Sequence, residues 1–217
     1  MNKNIWIVIP AYNEGKEIAK TVAGVRQFCK NIIVVDDGST DKTAHNAKKA
    51  KVIKLIINSG KGTALRTGCD YAIQEGAKII IAVDADGQHN PKEIPKFIKA
   101  LEKKDIIFGY RKFTKAMPKV LRLGNWGLSF LTQIIQGIKL KDTQCGYRAF
   151  TARAYKKIRW KSPGYSMESE MIARASKAKL KYAEVKVDTI YNDNYKGTTA
   201  FDGIRVMKDI IKWRFEI

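Results

Sequence analysis

Apolar and polar positions alternate along the first hundred residues with two different periods. Continuous apolar runs, each stopped by proline, aspartate or asparagine, are typical of buried parallel strands and lie at residues 5–9, 32–35, 52–57 and 79–83. Between these runs, apolar residues recur every three or four positions, which predicts helices at residues 14–29 and 41–50 and from residue 62 to about 75. This alternation predicts an α/β fold in which helices cover both faces of a mostly parallel sheet.

The second half of the chain shows fewer regular elements. Strands are predicted at residues 106–110 and 181–187, and helical spacing occurs at residues 119–138, 167–179 and 201–215. No repeat, low-complexity tract or linker interrupts the pattern. Residues 1–217 are therefore predicted to form one domain with two halves, 1–108 and 109–217, that ends in an amphipathic helix.

The charge of the chain is strongly positive and unevenly distributed. Lysine and arginine number 41 against 21 acids, for a formal net charge of +20. Residues 109–161 alone hold 13 basic side chains and a single acid, Asp142. This balance predicts an anionic partner, which is nucleic acid, a membrane surface or a phosphorylated substrate.

Several classes of protein are excluded by the same inspection. No apolar run approaches the roughly 20 residues that cross a bilayer, and the N-terminal residues show no cleavage site typical of a signal peptide. Three widely spaced cysteines fit neither a disulfide framework nor a zinc site. We therefore expect a cytoplasmic protein, peripheral on the cytoplasmic face of a membrane.

Each predicted strand of the first hundred residues ends in a polar or glycine-bearing loop. These loops occupy residues 10–14, 36–41, 58–62 and 84–91. Because the carboxyl ends of parallel strands meet at one edge of the sheet, the loops are expected to line one ligand crevice. The alternative is a set of ordinary turns, since Gly, Asp, Asn and Ser favour turns in any protein.

Two carboxylates separated by one residue follow the fourth predicted strand. Oxygen ligands at the density of Asp84 and Asp86 suit Mg²⁺ or Mn²⁺, and Gln88 and His89 could complete the shell. Magnesium in such sites is usually shared with substrate phosphates. The alternative is a capped turn ahead of Pro91.

A second pair of carboxylates, Asp36 and Asp37, is suited to accept hydrogen bonds from a ribose hydroxyl or a base edge. The segment at residues 60–62, Gly-Lys-Gly, lacks the spacing of a nucleoside-triphosphatase phosphate loop. No cysteine has an obvious histidine partner. These residues together indicate metal-assisted chemistry on a phosphate-bearing substrate rather than acyl transfer.

Short motifs stand in a defined order at these strand ends and beyond. They read IPAYNE at residues 9–14, VVDDGSTD at 34–41, NSGKGTAL at 58–65 and DADGQHNP at 84–91. Together they resemble glycosyltransferase family 2, the inverting enzymes of the GT-A fold. Further motifs are similar to the branch of polyprenyl-phosphate glycosyltransferases typified by dolichyl-phosphate mannose synthase, and they read GYR at 109–111, GN at 124–125 and DTQCGYRAF at 142–150.

The resemblance covers about residues 5–195 and implies a role for each matching position. The residues expected to contact the nucleotide sugar are Pro10, Ala11, Tyr12, Glu14, Val35, Asp37, Asp84, Ala85, Arg111 and Lys196. The residues expected to hold Mg²⁺ or Mn²⁺ are Asp84, Asp86 and Gln88. The residues expected near the acceptor are Gln144, Gly146 and Arg148, and an acidic motif in the following helix is matched by Glu168 and Glu170.

One segment departs from the family pattern. Near residues 188–197, members often carry an arginine and then a tyrosine, a glycine and a lysine or arginine, which neutralise the diphosphate. This chain reads DTIYNDNYKG there, so the arginine is absent and Lys196 is an approximate match.

The chemistry favours a polyprenyl phosphate as the acceptor. Transfer to a hydroxyl needs a general base, whereas a lipid phosphate is already anionic and attacks the anomeric carbon directly. Asp86 and Arg148 are the expected catalytic residues, and Arg148, with Arg122 or Lys119 nearby in sequence, is expected to hold the acceptor phosphate. The expected function is therefore inverting, metal-dependent transfer of mannose from GDP-mannose, or glucose from UDP-glucose, to polyprenyl or dolichyl phosphate.

Other possibilities remain open at this point. Residues 112–138 combine basic charge with an apolar helical face, which is typical of a helix on an anionic membrane; the alternative is a helix packed on the sheet with a basic rim. A saccharide or protein hydroxyl as acceptor would need a base, for which Asp142 and Glu170 are the candidates. Nucleic-acid binding is supported by charge alone, without basic–aromatic interleaving, and we expect no nucleic-acid partner.

Overall fold

The structure is a computed structural model that describes residues 4–111, 119–188 and 207–213, and for residues 119–126 it describes the backbone alone. Most of the predicted basic loop and part of the predicted C-terminal helix lie outside the described residues. Lys196 lies outside them as well, and the side chain of Arg122 is not among those described.

The described strands form one seven-stranded sheet. They are β1 Ile5–Ala11, β2 Ile32–Asp36, β3 Lys51–Lys54, β4 Ile79–Ala82, β5 Ile106–Arg111, β6 Arg148–Thr151 and β7 Tyr182–Val187. Their order across the sheet is β3-β2-β1-β4-β6-β5-β7. Strand β6 runs antiparallel to β4 and β5, and the remaining pairs are parallel.

Helices cover both faces of this sheet because both faces are apolar. They are α1 Ile18–Arg26, α2 Thr43–Asn46, α3 Lys61–Gln74, α4 Ile94–Leu101, α5 Lys119–Gln136, α6 Ala152–Ile158 and α7 Met167–Lys177, and residues 207–213 are also helical. Successive side chains of a strand point to opposite faces, so Ile7 packs with α1 and α4 while Val8 packs with α3, α6 and α7.

The α/β class is the predicted one, but several boundaries differ. The predicted strand at residues 52–57 ends at Lys54, which leaves the side chain of Ile56 99% exposed in the following loop. Helices α4 and α6 and strand β6 were not predicted. Strand β6 has four residues and begins with a charged side chain, so no apolar run marks it in the sequence.

The sheet topology brings one set of loops together. The carboxyl ends of β1, β2, β4 and β5 lie at one edge, and because β6 runs in the opposite direction, its amino end lies at the same edge. The loops that follow those four strands therefore meet the segment that precedes β6.

Candidate active site

A cavity of about 520 Å³ lies at this edge of the sheet. Eleven of the predicted residues line it, namely Pro10, Ala11, Tyr12, Glu14, Asp37, Asp84, Ala85, Asp86, Gln88, Arg111 and Gln144. Val35 and Arg148 are buried away from the lining, and Gly146 lies against Asp84. The lining also includes residues without a predicted role, among them Lys61 and Tyr165.

Asp37 joins two of the loops that line the cavity. Its Oδ1 accepts the N–H of Ser59 at 2.8 Å, and its Oδ2 accepts the N–H of Gly60 at 2.8 Å. Gly60 has a φ of +92°, a conformation that glycine adopts without steric cost. A carboxylate oxygen can accept a second hydrogen bond, so Asp37 can still accept from a ribose hydroxyl.

The loop after β1 is tied to the loop after β2. The N–H of Asn13 donates to Ser39 Oγ at 2.9 Å, and the N–H of Glu14 donates to Thr43 Oγ1 at 2.8 Å. These bonds hold the backbone of the two residues that follow Tyr12, which lines the cavity and is exposed. The two predicted nucleotide-binding loops therefore act as one wall.

Asp84 is held by two neighbours, Lys61 and His89. Its Oδ1 lies 2.8 Å from Lys61 Nζ, its N–H donates to His89 Nδ1 at 3.1 Å, and its Oδ2 lies 3.6 Å from His89 Nε2. The imidazole of His89 stacks on the ring of Tyr147. A Cβ atom added to Gly146 would lie 2.5 Å from Asp84 Oδ2. Gly146 is therefore needed to leave room for the carboxylate of Asp84.

Asp86 has a different electrostatic environment from Asp84. Its Oδ1 accepts the N–H of Gln88 at 3.0 Å. Burial raises the pKa of Asp86, and the neighbouring carboxylate of Asp84 raises it further. Burial also acts to raise the pKa of Asp84, but Lys61, together with His89 and Arg111, outweighs burial and lowers that pKa to about 2. The two aspartates thus form a region of negative charge that favours a cation.

The donor atoms fit a divalent metal ion that shares its shell with a ligand. Asp84 and Asp86 offer carboxylate oxygens and Gln88 an amide oxygen in the same cavity, which are the hard ligands that Mg²⁺ and Mn²⁺ prefer. Within the described part of the chain, no group of three or more His, Cys, Asp or Glu is arranged to hold a metal. Mg²⁺ is commonly held by one or two carboxylates, with phosphate oxygens and water completing its shell.

Lys61 lies between two carboxylates, and the sequence patterns did not assign it a role. Its Nζ is 2.8 Å from Asp84 Oδ1 and 3.1 Å from Glu168 Oε1. Burial would lower the pKa of Lys61, but Asp84 and Glu168 outweigh burial and hold that pKa above its ordinary value. Lys61 lies in the motif NSGKGTAL, whose spacing differs from that of a nucleoside-triphosphatase phosphate loop.

Arg111 is held at the cavity by Asp142. Its Nε is 2.7 Å from Asp142 Oδ2 and its Nη2 is 3.1 Å from Oδ1, which makes a bidentate pair. The backbone N–H of Gln144 also donates to Asp142 Oδ1. The single acid of residues 109–161 therefore orients one arginine and one amide residue that line the cavity.

The position of Arg148 corrects the predicted contact with an acceptor phosphate. Its side chain is 1% exposed and does not line the cavity. The guanidinium donates to the carbonyl oxygens of Thr143, Cys145 and Glu168 at 2.7, 3.0 and 2.7 Å. Thr143 and Cys145 belong to the segment before β6, and Glu168 belongs to α7. Because buried carbonyls need donors from within the fold, Arg148 is a positioning residue that ties the segment before β6 to α7.

Comparison with known proteins assigns the family. The model of the family described as "Glycosyl transferase family 2" matches residues 6–159. The chain belongs to glycosyltransferase family 2. An uncharacterized protein of Methanocaldococcus jannaschii is 43% identical over 225 residues, which cover 97% of this chain and 93% of that protein. The UDP-N-acetylglucosamine–dolichyl-phosphate N-acetylglucosaminyltransferase of Methanococcus voltae is 35% identical over 94% of each protein.

Solved structures share the fold of this family 2 glycosyltransferase. Glucosyl-3-phosphoglycerate synthase of M. tuberculosis superposes with a TM-score of 0.75 at 19% identity, over 98% of this chain and 79% of that chain. The predicted GT-A fold and the predicted glycosyltransferase class are therefore confirmed.

Parts of the predicted glycosyltransferase site lie beyond the described residues. They include Lys196, the side chain of Arg122 and residues 112–118, and their roles stay predictions. Among the helices of residues 4–111, 119–188 and 207–213, none is both long and apolar enough for a membrane crossing.

Proposed function

We propose that this chain is an inverting, metal-dependent glycosyltransferase that moves a sugar from a nucleotide sugar to a polyprenyl or dolichyl phosphate. One observation carries the proposal, which is the charge of the cavity. The carboxylates and basic side chains among its described lining are Glu14, Asp37, Asp84, Asp86 and Glu168, and Lys61 and Arg111. A diphosphate is repelled by such an acid-rich surface unless a cation accompanies it. The cavity therefore suits a nucleoside diphosphate that arrives with a divalent metal ion.

Asp84, Asp86 and Gln88 are the residues that would hold Mg²⁺ or Mn²⁺. The ion supplies positive charge that stabilises the departing nucleoside diphosphate. A solved structure of glucosyl-3-phosphoglycerate synthase contains Mg²⁺ and UDP, which supports the same pairing of metal and nucleotide here. Asp86 is proposed as a catalytic residue because it would bind the ion whose positive charge stabilises the departing nucleoside diphosphate.

The two carboxylates that could act as a general base are engaged within the protein, and this supports an acceptor that is already anionic. The hydroxyl-acceptor alternative needs a general base, and its candidates were Asp142 and Glu170. Asp142 is buried and paired with Arg111, and Glu170 accepts hydrogen bonds from Ser162 Oγ and Arg174 Nε. Both carboxylates are engaged within the protein, and neither lines the cavity. A phosphate acceptor needs no such base.

Several donors fit the proposal. The resemblance to polyprenyl-phosphate glycosyltransferases implies mannose from GDP-mannose or glucose from UDP-glucose. The name of the Methanococcus voltae relative specifies UDP-N-acetylglucosamine and dolichyl phosphate, which supports a lipid phosphate acceptor and adds a third donor.

Transfer of label into lipid tests the proposal. Purified protein with Mg²⁺ or Mn²⁺ is incubated with a short-chain polyprenyl phosphate and radiolabelled GDP-mannose, UDP-glucose or UDP-N-acetylglucosamine. We expect organic-phase label from one donor, and loss of that label with EDTA or in Asp86→Ala. Label on a free saccharide and none on lipid would favour the hydroxyl-acceptor alternative. Full transfer with EDTA and in Asp86→Ala would remove the metal from the proposal.

The proposed acceptor is a lipid, so the proposal includes a peripheral position on the cytoplasmic face of a membrane. Helix α5 packs Leu128 against α7 and the helix at residues 207–213. Ile134 of α5 is nevertheless 65% exposed, and Ile211 is 50% exposed. Exposed apolar side chains on a chain with a net charge of +20 favour an anionic membrane surface. The packed-helix alternative describes the face of α5 that carries Leu128, and the membrane hypothesis concerns the face that carries Ile134.

Co-sedimentation with liposomes of rising anionic lipid content tests this position. We expect binding to rise with anionic lipid and to weaken on the order of tenfold when both exposed residues are replaced, Ile134→Glu and Ile211→Glu. The matched control is Ile56→Glu, at an exposed isoleucine in the loop that follows β3. Binding that does not respond to anionic lipid would contradict the membrane part of the proposal.

A further inference from the structure

Lys61 connects three parts of the candidate site. It is the first residue of α3 and follows Gly60, whose φ is +92°. Its ammonium lies 2.8 Å from Asp84 Oδ1, beside β4, and 3.1 Å from Glu168 Oε1, on α7. The ammonium is also 5.9 Å from the ring centroid of Tyr165. Lys61 thus places a positive charge in the cavity beside a predicted metal ligand.

The surroundings of Lys61 contain more negative charge than one ammonium can balance. Glu168 is 2% exposed, and its Oε2 has no hydrogen-bond partner among the described residues. Asp86 adds another carboxylate to the same cavity. Lys61 is therefore paired with two carboxylates in a cavity that holds a third, and a second cation close to Asp84 would compete with Lys61 for the same oxygen.

We propose that Lys61 is an exchangeable cation of the site, which pairs with Asp84 while no metal is bound and binds a phosphate oxygen of the nucleotide once Asp84 is a metal ligand. This inference rests on the proposed function, since it requires a nucleoside diphosphate and a divalent ion. The four-carbon stem of lysine lets the ammonium change partner without movement of the helix. Glu168 keeps the ammonium inside the cavity when Asp84 is engaged elsewhere.

The described lining of the cavity contains two basic side chains, Lys61 and Arg111. Of these two, Arg111 is held by Asp142. A phosphate in the cavity therefore has Lys61 as a cation close to the predicted metal ligands.

The exchange predicts two opposite effects of removing the ammonium. Without Lys61, the carboxylates attract a metal ion more strongly, so the metal alone binds more tightly. The nucleotide loses a cationic partner, so it binds more weakly to the metal-loaded protein. A purely structural role for Lys61 would weaken both kinds of binding.

Isothermal titration calorimetry measures both effects without any transfer reaction. Mn²⁺ is titrated alone, and UDP or GDP is then titrated at saturating Mn²⁺, into the wild type, Lys61→Met, Lys61→Gln and Lys103→Met. We expect Lys61→Met to bind Mn²⁺ on the order of tenfold more tightly and the nucleotide on the order of tenfold more weakly. Lys103 is exposed and outside the cavity lining, so Lys103→Met is expected to match the wild type.

Thermal unfolding first shows whether each variant is folded. If Lys61→Met is unfolded, Lys61→Gln replaces it, because glutamine keeps a polar side chain in the buried position. Weaker or unchanged Mn²⁺ binding in the folded variant, or unchanged nucleotide affinity, overturns the exchange. A wild-type protein that binds neither Mn²⁺ nor UDP nor GDP contradicts the proposed function instead. The failure of the two proposals is therefore distinguishable.

Discussion

The two halves of the chain direct their charged side chains differently. The carboxylates of the first half that line the cavity are Glu14, Asp37, Asp84 and Asp86. The arginines of the second half that bind an acid or a backbone carbonyl within the described fold are Arg111, Arg148, Arg153, Arg159 and Arg174. These four acids thus face the cavity, while these arginines are paired with groups of the protein itself.

The net charge of a segment therefore does not predict whether its charged side chains line the cavity or pair with other groups of the protein. The basic excess of residues 109–161 suggested a cationic lining for an acceptor phosphate. Among the described lining residues, that segment contributes one basic side chain, Arg111, which is oriented by Asp142. An arginine can pair several carbonyls or a carboxylate at once, which makes it suited to internal crosslinks as well as to phosphate binding.

Replacing an acid of the first half should have the largest effect. We expect Asp86→Asn to lower the rate of transfer on the order of 10³-fold, because it removes charge that the metal site requires. The fold should be unaffected, since the change relieves repulsion with Asp84. Steady-state transfer and thermal unfolding measure the two effects, and Glu75→Gln, at an exposed acid outside the cavity, is the control. Retention of a tenth or more of the activity would contradict the assignment.

Replacing Arg148 should act on stability. We expect Arg148→Met to lower the free energy of unfolding by about 3 kcal/mol, because it leaves buried carbonyl oxygens without donors. Arg111→Met should change stability less and raise the KM for the nucleotide sugar, since Arg111 lines the cavity. Urea unfolding measures the stability of both variants, and steady-state kinetics measures their KM values for the nucleotide sugar and for the lipid phosphate. A stable Arg148→Met whose KM for lipid phosphate alone is raised would restore the direct acceptor contact.

A methyl group at Gly146 should disturb Asp84 through close contact. We expect Gly146→Ala to lower the transfer rate on the order of 10²-fold, because the new Cβ displaces the carboxylate of Asp84. The control is Gly127→Ala in α5, where an added Cβ meets no atom of the described residues beyond its own stretch of helix within 4 Å. Equal activity of the two variants would show that the space beside Asp84 is not critical.

The smallest effect is expected at an ion pair far from the cavity. Asp105 accepts the N–H of Lys181 and pairs with Arg153, and these donors hold the pKa of Asp105 below its ordinary value despite burial. Its stabilising effect is therefore present above the unfolded pKa of about 3.9 and is lost as the pH falls through the folded pKa.

Urea unfolding of the wild type and of Asp105→Asn between pH 7 and pH 3 measures this effect. Because Arg153 is largely exposed, the pair with Arg153 should contribute less than about 1 kcal/mol. The difference between the two proteins should shrink as the pH falls. A difference that grows toward low pH would contradict the direction of the pKa shift.

Local patterns in the sequence were sufficient for most of the first half. Apolar runs marked β1, β2 and β4, and the rule that ligands bind beyond the carboxyl ends of parallel strands placed Asp37, Asp84 and Asp86 at one crevice. These inferences succeed because strand direction and side-chain period are local properties of the chain.

Only the tertiary structure decided which charged groups meet. Lys61 and Glu168 are 107 positions apart, and their contact depends on how α3 and α7 pack on the sheet. Arg148 carries the same charge as a phosphate-binding arginine, but it stands at the start of the unpredicted strand β6, where three carbonyls surround it. The sequence by itself therefore determined the fold class, the family and the position of the acidic motif at residues 84–86. The direction of each side chain and its long-range partner were decided by packing, because burial and pairing are properties of the whole fold.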